Sequence, residues 1–176
     1  VCCSNRFRDK STSAHTITTS SEPKIQPFSP FAPSAAYDSA VNGGSGYFDS
    51  DGDYLRLPSS NDFDFSGSFT IEAWVYLEDL STSRTILGTC ANIGGRGGIY
   101  FGTSGNNLIF FQYITNTTLI TSSSSIIKHQ WNHVAAVRNG TSITLYINGT
   151  SVGSATDSRS YSGDSANGGV GGFYSN

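Results

Sequence analysis

The chain has 176 residues, of which 13% are charged, with a formal net charge of −3 and no run of basic residues. This length suits one domain with a core of its own. The lack of a basic run argues against binding nucleic acid by phosphate neutralisation, and no stretch of about 18 apolar residues is present to insert into a membrane. Ser, Thr, Asn and Gly must cover much of the surface, as is typical of extracellular and virion-surface β proteins.

The N-terminal quarter of the chain is rich in Ser, Thr and Pro, and its four prolines exclude a helix. We therefore predict an extended opening strand and wrapping segment over residues 1–45, followed by a β-sandwich over 46–176, in one domain overall. The stretch "HTITTS" should pair within a sheet. The stretch "QPFSPFAP" should cross a face and bury Phe28 and Phe31.

From Gly46 onward, short alternating apolar runs are separated by turn residues, and helical periodicity is absent almost everywhere. Regularly spaced short strands with glycine-rich turns indicate an all-β sandwich or barrel. The strands are predicted at about 46–50, 53–57, 69–77, 84–89, 98–102, 107–113, 117–121, 132–138, 142–148 and 151–155.

Three aspartates, Asp49, Asp51 and Asp53, alternate in "YFDSDGDYLRLP". A calcium loop of the EF-hand type needs glycine at its sixth position, and Tyr54 stands there instead. The glycine is Gly52, directly after Asp51, and Asp-Gly between two apolar runs is a hairpin signal. The sequence predicts a hairpin turn here, with no metal site and no cofactor, although carboxylates at a sandwich rim could still hold calcium with backbone carbonyls.

Two Asn-Gly pairs, Asn139-Gly140 and Asn148-Gly149, lie between alternating apolar runs. Both residue types tolerate positive φ, which a type I′ turn requires. The segment from His133 to Gly153 should therefore form three antiparallel strands in a meander.

Two segments, "GSGYFDSDGDYLRLPSSNDFDFSGSFTIEAWVY" and "WNHVAAVRNGTSITLYINGTSVGSA", resemble the laminin-G-like, concanavalin A-like lectin/glucanase sandwich. The likeness covers roughly residues 46–172. It implies a jelly-roll β-sandwich of two antiparallel sheets, of the kind found in phage and marine-microbial surface proteins. It implies no single function, because the superfamily includes lectins, adhesion modules and glycosidases.

Such domains commonly close with a further strand after a segment like "GGVGGFYSN", where this chain ends at Asn176. Either that strand is missing or another segment replaces it. A missing strand would leave an unpaired edge near "GGVGGFY", and an open edge is a template for self-association.

The sequence argues against an enzyme. Glu72 and Glu78 share one face of a predicted strand, but six residues of strand separate them by about 20 Å, beyond the reach of a glycosidase pair. The stretch "TIEAWVYLED" lacks the glutamate-rich motif of the superfamily's glucanases. His133 is read as a hydrogen-bonded histidine near a strand start, with no nucleophile pattern around it.

The strands "FTIEAWVYL" and "LIFFQY" carry bulky residues on both faces. We therefore expect the second face of each strand to line a groove or to be covered by another segment. Trp74 and Phe111 are read as core residues. Tyrosines suit a wet edge, because the ring is apolar and the hydroxyl is polar. The candidate ligand-binding residues are Tyr76, Tyr113, Gln112 and Glu72.

We therefore predict a non-catalytic binding or adhesion module that recognises glycans, placed outside the cell, on a cell surface or on a virion. The alternative is a structural or protein-interaction domain of a larger surface protein with no small ligand. The partner would then be a surface protein rather than a glycan. The three cysteines, Cys2, Cys3 and Cys90, show no zinc spacing and are either free or joined by one bridge to Cys90.

Overall fold

A computed structural model of the chain describes residues 7–30, 44–49, 51–89, 97–163 and 168–172. These residues contain thirteen β-strands and one turn of 3-10 helix at Asn61–Phe63. The strands are β1 (Thr18–Ser20), β2 (Lys24–Gln26), β3 (Ser45–Tyr47), β4 (Tyr54–Arg56), β5 (Phe69–Tyr76), β6 (Arg84–Gly88), β7 (Ile99–Ser104), β8 (Asn107–Gln112), β9 (Thr117–Ser125), β10 (Trp131–Asn139), β11 (Ser142–Ile147), β12 (Thr150–Thr156) and β13 (Gly169–Val170).

The strands form two main antiparallel sheets and one small one. The large sheet has the order β1-β4-β13-β6-β7-β8-β9, the second has the order β12-β11-β10-β5, and β2 pairs with β3 alone. Strand β12 lies against β9, and β11 lies against β8 and β9, so the two main sheets face each other. The predicted all-β sandwich of antiparallel sheets is confirmed, and the strands from Phe69 to Thr156 begin and end within a few residues of their predicted limits.

The core lies between the two main sheets and is built by alternate residues of each strand. On β5, the odd-numbered residues from Phe69 to Val75 face the core, and the even-numbered ones face away. Three aromatic rings fix one end of this core. The Phe69 and Phe110 ring centroids are 6.3 Å apart, and those of Phe110 and Tyr161 are 5.9 Å apart.

The predicted meander of β10, β11 and β12 is confirmed. On β11, Ile143 and Leu145 point inward and are fully buried. Asn148 and Gly149 have φ values of 50° and 79°, as a type I′ turn requires. The first turn differs from the prediction. Asn139 pairs with Ser142, so the central residues are Gly140 and Thr141, and only the glycine has positive φ.

The C-terminal segment lies inside the large sheet. Strand β13 pairs with β4 on one side and with β6 on the other. The predicted open edge near "GGVGGFY" is therefore wrong for Gly169 and Val170. Glycine fits this position because a Cβ on Gly169 would lie 2.3 Å from the Gly172 carbonyl oxygen and 3.0 Å from that of Leu55. Self-association remains a prediction, but the strand edge on which it was based is paired on both sides.

The N-terminal segment contributes to the sheets in part as predicted. Within "HTITTS", Thr18–Ser20 pairs with β4 and forms one edge of the large sheet. Phe28 does cross a face of the sandwich, but its predicted burial is wrong, because 52% of its surface is exposed. Phe31 and the three cysteines lie outside the described residues.

A buried polar network closes one end of the sandwich around Asp157. Its carboxylate accepts hydrogen bonds from the Tyr161 hydroxyl at 2.7 Å and from the Arg159 Nε at 2.8 Å. Burial opposes ionisation of Asp157, but these hydrogen bonds outweigh it and hold the pKa of Asp157 below its ordinary value. Arg138, in turn, donates to the Arg159 carbonyl oxygen at 2.7 Å. The network ties the segment after β12 to β10.

We expect Tyr161→Phe to lower the free energy of unfolding by about 1–3 kcal/mol near neutral pH, because the buried Asp157 carboxylate loses a donor. A folded-state pKa below the unfolded value stabilises the protein above the unfolded pKa and is lost as the pH falls through the folded pKa. The difference between variant and wild type should therefore shrink towards about pH 2.5. Urea unfolding at both pH values measures it.

The matched control is Tyr47→Phe, since Tyr47 is an exposed tyrosine of β3. Its free energy of unfolding should stay within about 0.5 kcal/mol of wild type. Equal effects of the two substitutions would show that the Tyr161 hydroxyl adds nothing specific.

Candidate functional site

One broad surface combines exposed aromatic and polar side chains: the side of the four-stranded sheet that faces away from the core, called here the outer surface. Because paired residues in neighbouring strands point to the same side, the pairing defines its members. They are Thr70, Glu72, Trp74 and Tyr76 on β5, Trp131, His133, Ala135 and Val137 on β10, Thr144 and Tyr146 on β11, and Ser151 and Ser154 on β12.

The centre of the outer surface is an open indole beside an acid–imidazole pair. Trp74 is opposite His133 in the β5–β10 ladder, and their ring centroids are 5.2 Å apart. His133 Nε2 lies 3.3 Å from Glu72 Oε2. Trp74 is 42% exposed, which is unusual for a tryptophan in the middle of a strand. A flat apolar ring therefore lies next to hydrogen-bonding groups, with both open to solvent.

Ala135 lies beside this centre, paired with Glu72 on one side and with Tyr146 on the other. It is buried although it points outward, so neighbouring side chains cover its methyl group.

A second aromatic group occupies the end of the outer surface, where Tyr76 pairs with Trp131. The ring of Phe28 packs on both of them, with centroids 4.8 Å from Tyr76 and 5.1 Å from Trp131. The indole nitrogen Nε1 of Trp131 is buried and has no hydrogen-bond partner in the described part of the chain. Phe28 belongs to the segment after β2, so this end of the surface is covered by the protein itself.

The four residues predicted to bind a ligand do not lie on one surface. Glu72 and Tyr76 share the outer surface, two positions on either side of Trp74. Gln112 is fully buried, and its side chain bonds to Thr115. Tyr113 follows β8 in the other sheet, and its ring packs on Phe111 with centroids 4.9 Å apart. The sequence cannot show this separation, because strands of similar pattern belong to different sheets.

The structure also bears on the predictions made for Trp74 and for His133. Trp74 was predicted to be a core residue, and it is the most exposed aromatic side chain of its strand. His133 was read as a hydrogen-bonded histidine near a strand start. Its imidazole lies 3.3 Å from the Glu72 carboxylate, and its backbone N–H donates to Asn148 Oδ1 at 2.9 Å. The alternation of β5 could have identified Trp74, since it shares a face with Glu72.

A groove of about 540 Å³ lies at the N-terminal side of the sandwich. Its floor includes Leu55 and Val170, which point towards the core side of the large sheet because Val170 pairs with Leu87 and Leu87 with the buried Phe101. The groove thus marks where the large sheet extends beyond the smaller one.

The polar groups at the rim of this groove bond to one another. His15 Nε2 lies 2.9 Å from Asp62 Oδ2, and Asp9 accepts from the backbone N–H groups of Ser11 and His15. The hydrogen bonds from Ser11 and His15 hold the pKa of Asp9 below its ordinary value, and those from Ser13 and His15 do the same for Asp62. These groups fasten the N-terminal segment, and the outer surface remains the more open candidate site.

The three alternating aspartates form neither the predicted hairpin nor an assembled metal cage. Strands β3 and β4 belong to different sheets, so the Asp51-Gly52 turn joins strands that do not pair. Gly52 has φ of 80°, which suits a tight turn. Asp53 is buried and accepts hydrogen bonds from the backbone N–H of Glu22 at 2.7 Å and of Asp49 at 3.3 Å. The carboxylate fastens the turn to the end of β1.

Among the described residues, no group of three or more His, Cys, Asp or Glu side chains is placed to hold a metal ion. None of the helical structure described is long and apolar enough to cross a membrane.

The family model for the concanavalin A-like lectin/glucanases superfamily, of the laminin G type, matches residues 49–172. The chain therefore belongs to this family, as its motifs predicted. No curated protein matches it in sequence.

Three solved structures align with this chain. The binding domain of botulinum neurotoxin DC, solved in complex with SialylT, aligns with a TM-score of 0.59 at 16% identity, over 90% of this chain and 40% of that one. The carbohydrate binding module CBM66 from Bacillus subtilis aligns at 0.49 and 14% identity, over 90% and 92%. The alginate lyase AlgAT5, of polysaccharide lyase family 7, aligns at 0.40 and 17% identity, over 74% and 62%.

We expect Asp53→Asn to destabilise the protein more than Asp51→Asn, which alters an exposed neighbour. The loss at Asp53 should be about 1–3 kcal/mol, because a buried carboxylate that accepts backbone N–H groups is weakened. Thermal unfolding with excess calcium and with a chelator measures both variants. The difference should be the same in the two conditions, and a Tm that depends on calcium only when Asp51 is intact would instead indicate a metal site.

Proposed function

We propose that the chain is a non-catalytic module that binds glycans through the outer surface. The observation that carries the proposal is the open indole of Trp74 beside the Glu72–His133 pair. Aliphatic C–H groups of a sugar ring stack on the electron-rich face of an aromatic ring, and sugar hydroxyls exchange hydrogen bonds with carboxylate and imidazole. The outer surface offers both kinds of contact side by side.

The layout of the outer surface favours an extended ligand. Trp74 and Tyr76 are two residues apart on β5, which separates them by about 6.8 Å, a spacing that suits neighbouring sugar rings. Beyond Ala135, the surface continues over the hydroxyl groups of Tyr146 and Thr144. A short run of sugar rings laid along β5 could therefore stack on the aromatic rings and hydrogen-bond to hydroxyl groups on the neighbouring strands.

The charge of the outer surface favours neutral over acidic sugars. Its ionisable groups include Glu72 and His133, and none of its outward-facing strand positions carries Lys or Arg. Carboxylate-bearing sugars need a fixed cation to offset their desolvation, and Arg is the residue that does this best. A neutral glycan needs only stacking and hydroxyl contacts.

We further propose that the module has no catalytic activity and works outside the cell, on a cell surface or on a virion. A glycosidase needs two carboxyl groups within about 5–9.5 Å across the scissile bond. On the outer surface Glu72 is the one carboxylate at the strand positions, and its close partner is an imidazole. The fold alone does not decide this question, because one sandwich supports several functions.

We expect Trp74→Ala to weaken binding to neutral oligosaccharides at least tenfold, which corresponds to about 1.4 kcal/mol. The stacking ring is lost, while the fold should survive because Trp74 is largely outside the core. Binding is measured on a glycan array and then by calorimetry with the oligosaccharides retained, and circular dichroism checks the fold.

Tyr113→Ala is the matched control, since Tyr113 is an aromatic residue of the other sheet. Its affinity should match that of wild type. If no glycan is retained by the wild-type protein, or if a glycosidase panel shows turnover, the proposal is wrong. A protein-interaction domain with no small ligand would then explain the exposed aromatic surface better.

A further inference from the structure

The ring of Phe28 lies on the outer surface in a position that a ligand ring could take. It contacts Tyr76 edge-on, at an interplanar angle of 85°, and lies tilted over Trp131 at 33°. Yet Phe28 is 52% exposed, so its packing there is incomplete. A core aromatic residue would be enclosed on all sides. Phe28 is thus only partly enclosed by the protein.

The backbone is anchored on both sides of Phe28. Gln26 pairs with Ser45 in the small sheet, and Pro27 has a fixed φ. Ser29, on the other side, is buried. Motion of the ring therefore needs only a change of side-chain rotamer, with no strand displaced.

Trp131, one of the two residues that this ring packs on, has an unmet hydrogen bond. Trp131 Nε1 is buried without a hydrogen-bond partner among the described residues. Buried indole N–H groups usually find an acceptor, and a phenylalanine ring supplies none of the ordinary kind. A sugar ring in the same place would bring hydroxyl oxygens that accept from it.

We propose that Phe28 occupies a second sugar subsite, formed by Tyr76 and Trp131, and that a neutral sugar ring displaces it. This inference rests on the proposed glycan binding at Trp74 and extends it along β5. Phe28 acts as a built-in competitor that covers the aromatic pair until a ligand arrives. The incoming ring stacks on Tyr76 and accepts a hydrogen bond from Trp131 Nε1.

The first test compares Phe28→Ala with wild type against cellohexaose, mannohexaose, xylohexaose and laminarihexaose by calorimetry. If the covered state holds about 80–90% of the population, removing the competitor tightens binding about five- to tenfold. Tyr47→Ala is the control, because Tyr47 is an exposed aromatic residue at the far end of the small sheet, opposite Lys24. It should leave affinity unchanged.

The second test asks whether Trp131 Nε1 takes part. Trp131→Phe keeps a ring and removes the donor, so in the Phe28→Ala background it should cancel most of the gain, about fivefold. A third measurement needs no ligand. The chain has two tryptophans. In a Trp74→Phe background, acrylamide quenching therefore reports Trp131 alone, and it should rise when Phe28 is also replaced by Ala.

The outcomes separate this inference from the proposed function. Binding that depends on Trp74 but is unchanged or weaker in Phe28→Ala would overturn the displacement and leave glycan binding intact. Quenching of Trp131 that does not change with Phe28→Ala would also overturn it. If neither wild type nor Phe28→Ala binds any of the hexasaccharides, both proposals fail together. If Phe28→Ala binds a hexasaccharide that the wild-type protein does not bind, the result would support a Phe28 ring that covers the subsite nearly all the time.

Discussion

In the β5–β10 pair, every residue of β5 that faces the core is opposite a residue of β10 that also faces the core. Ile71 pairs with Ala136, and Ala73 pairs with Val134. The intervening pairs build the outer surface, where Trp74 meets His133. A slip of one residue would turn Trp74 inward and expose apolar side chains in its place. Core packing therefore fixes the geometry of the candidate site.

The large sheet has seven strands and the sheet it faces has four, so part of the large sheet has no opposite sheet to cover it. Strand β13 extends the large sheet between β4 and β6, and glycine permits the close approach. The core-facing side of this extension is left to the N-terminal segment, which Asp9, His15 and Asp62 hold together. Because these groups bond to one another within the protein, they are not free to bind a ligand in the adjacent groove.

Local sequence pattern predicted the positions of the strands from Phe69 to Thr156 well. It did not predict which face of "FTIEAWVY" is open, because both faces carry bulky residues and Trp74 was read as a core residue. Sheet membership was not predictable in the same way. The Asp51-Gly52 turn has a hairpin signature, yet the strands on its two sides pair with distant partners. Tyr113 and Tyr76 have similar local settings and lie in different sheets. These outcomes depend on contacts between residues far apart in sequence, which a local pattern does not encode.

Exposed aromatic surface is unfavourable in water, and the two ends of the outer surface differ in how much of it they leave exposed. A large apolar patch left open to water favours aggregation, so a monomeric protein tends to limit such patches or use them. At one end Trp74 remains open, and the hydrogen-bonding pair beside it keeps the surroundings hydrated. At the other end Phe28 shields Trp131 and Tyr76 at the expense of its own exposure. The proposed glycan, which has both apolar faces and hydroxyl groups, would satisfy the two ends at once, as neither water nor a phenylalanine ring can do.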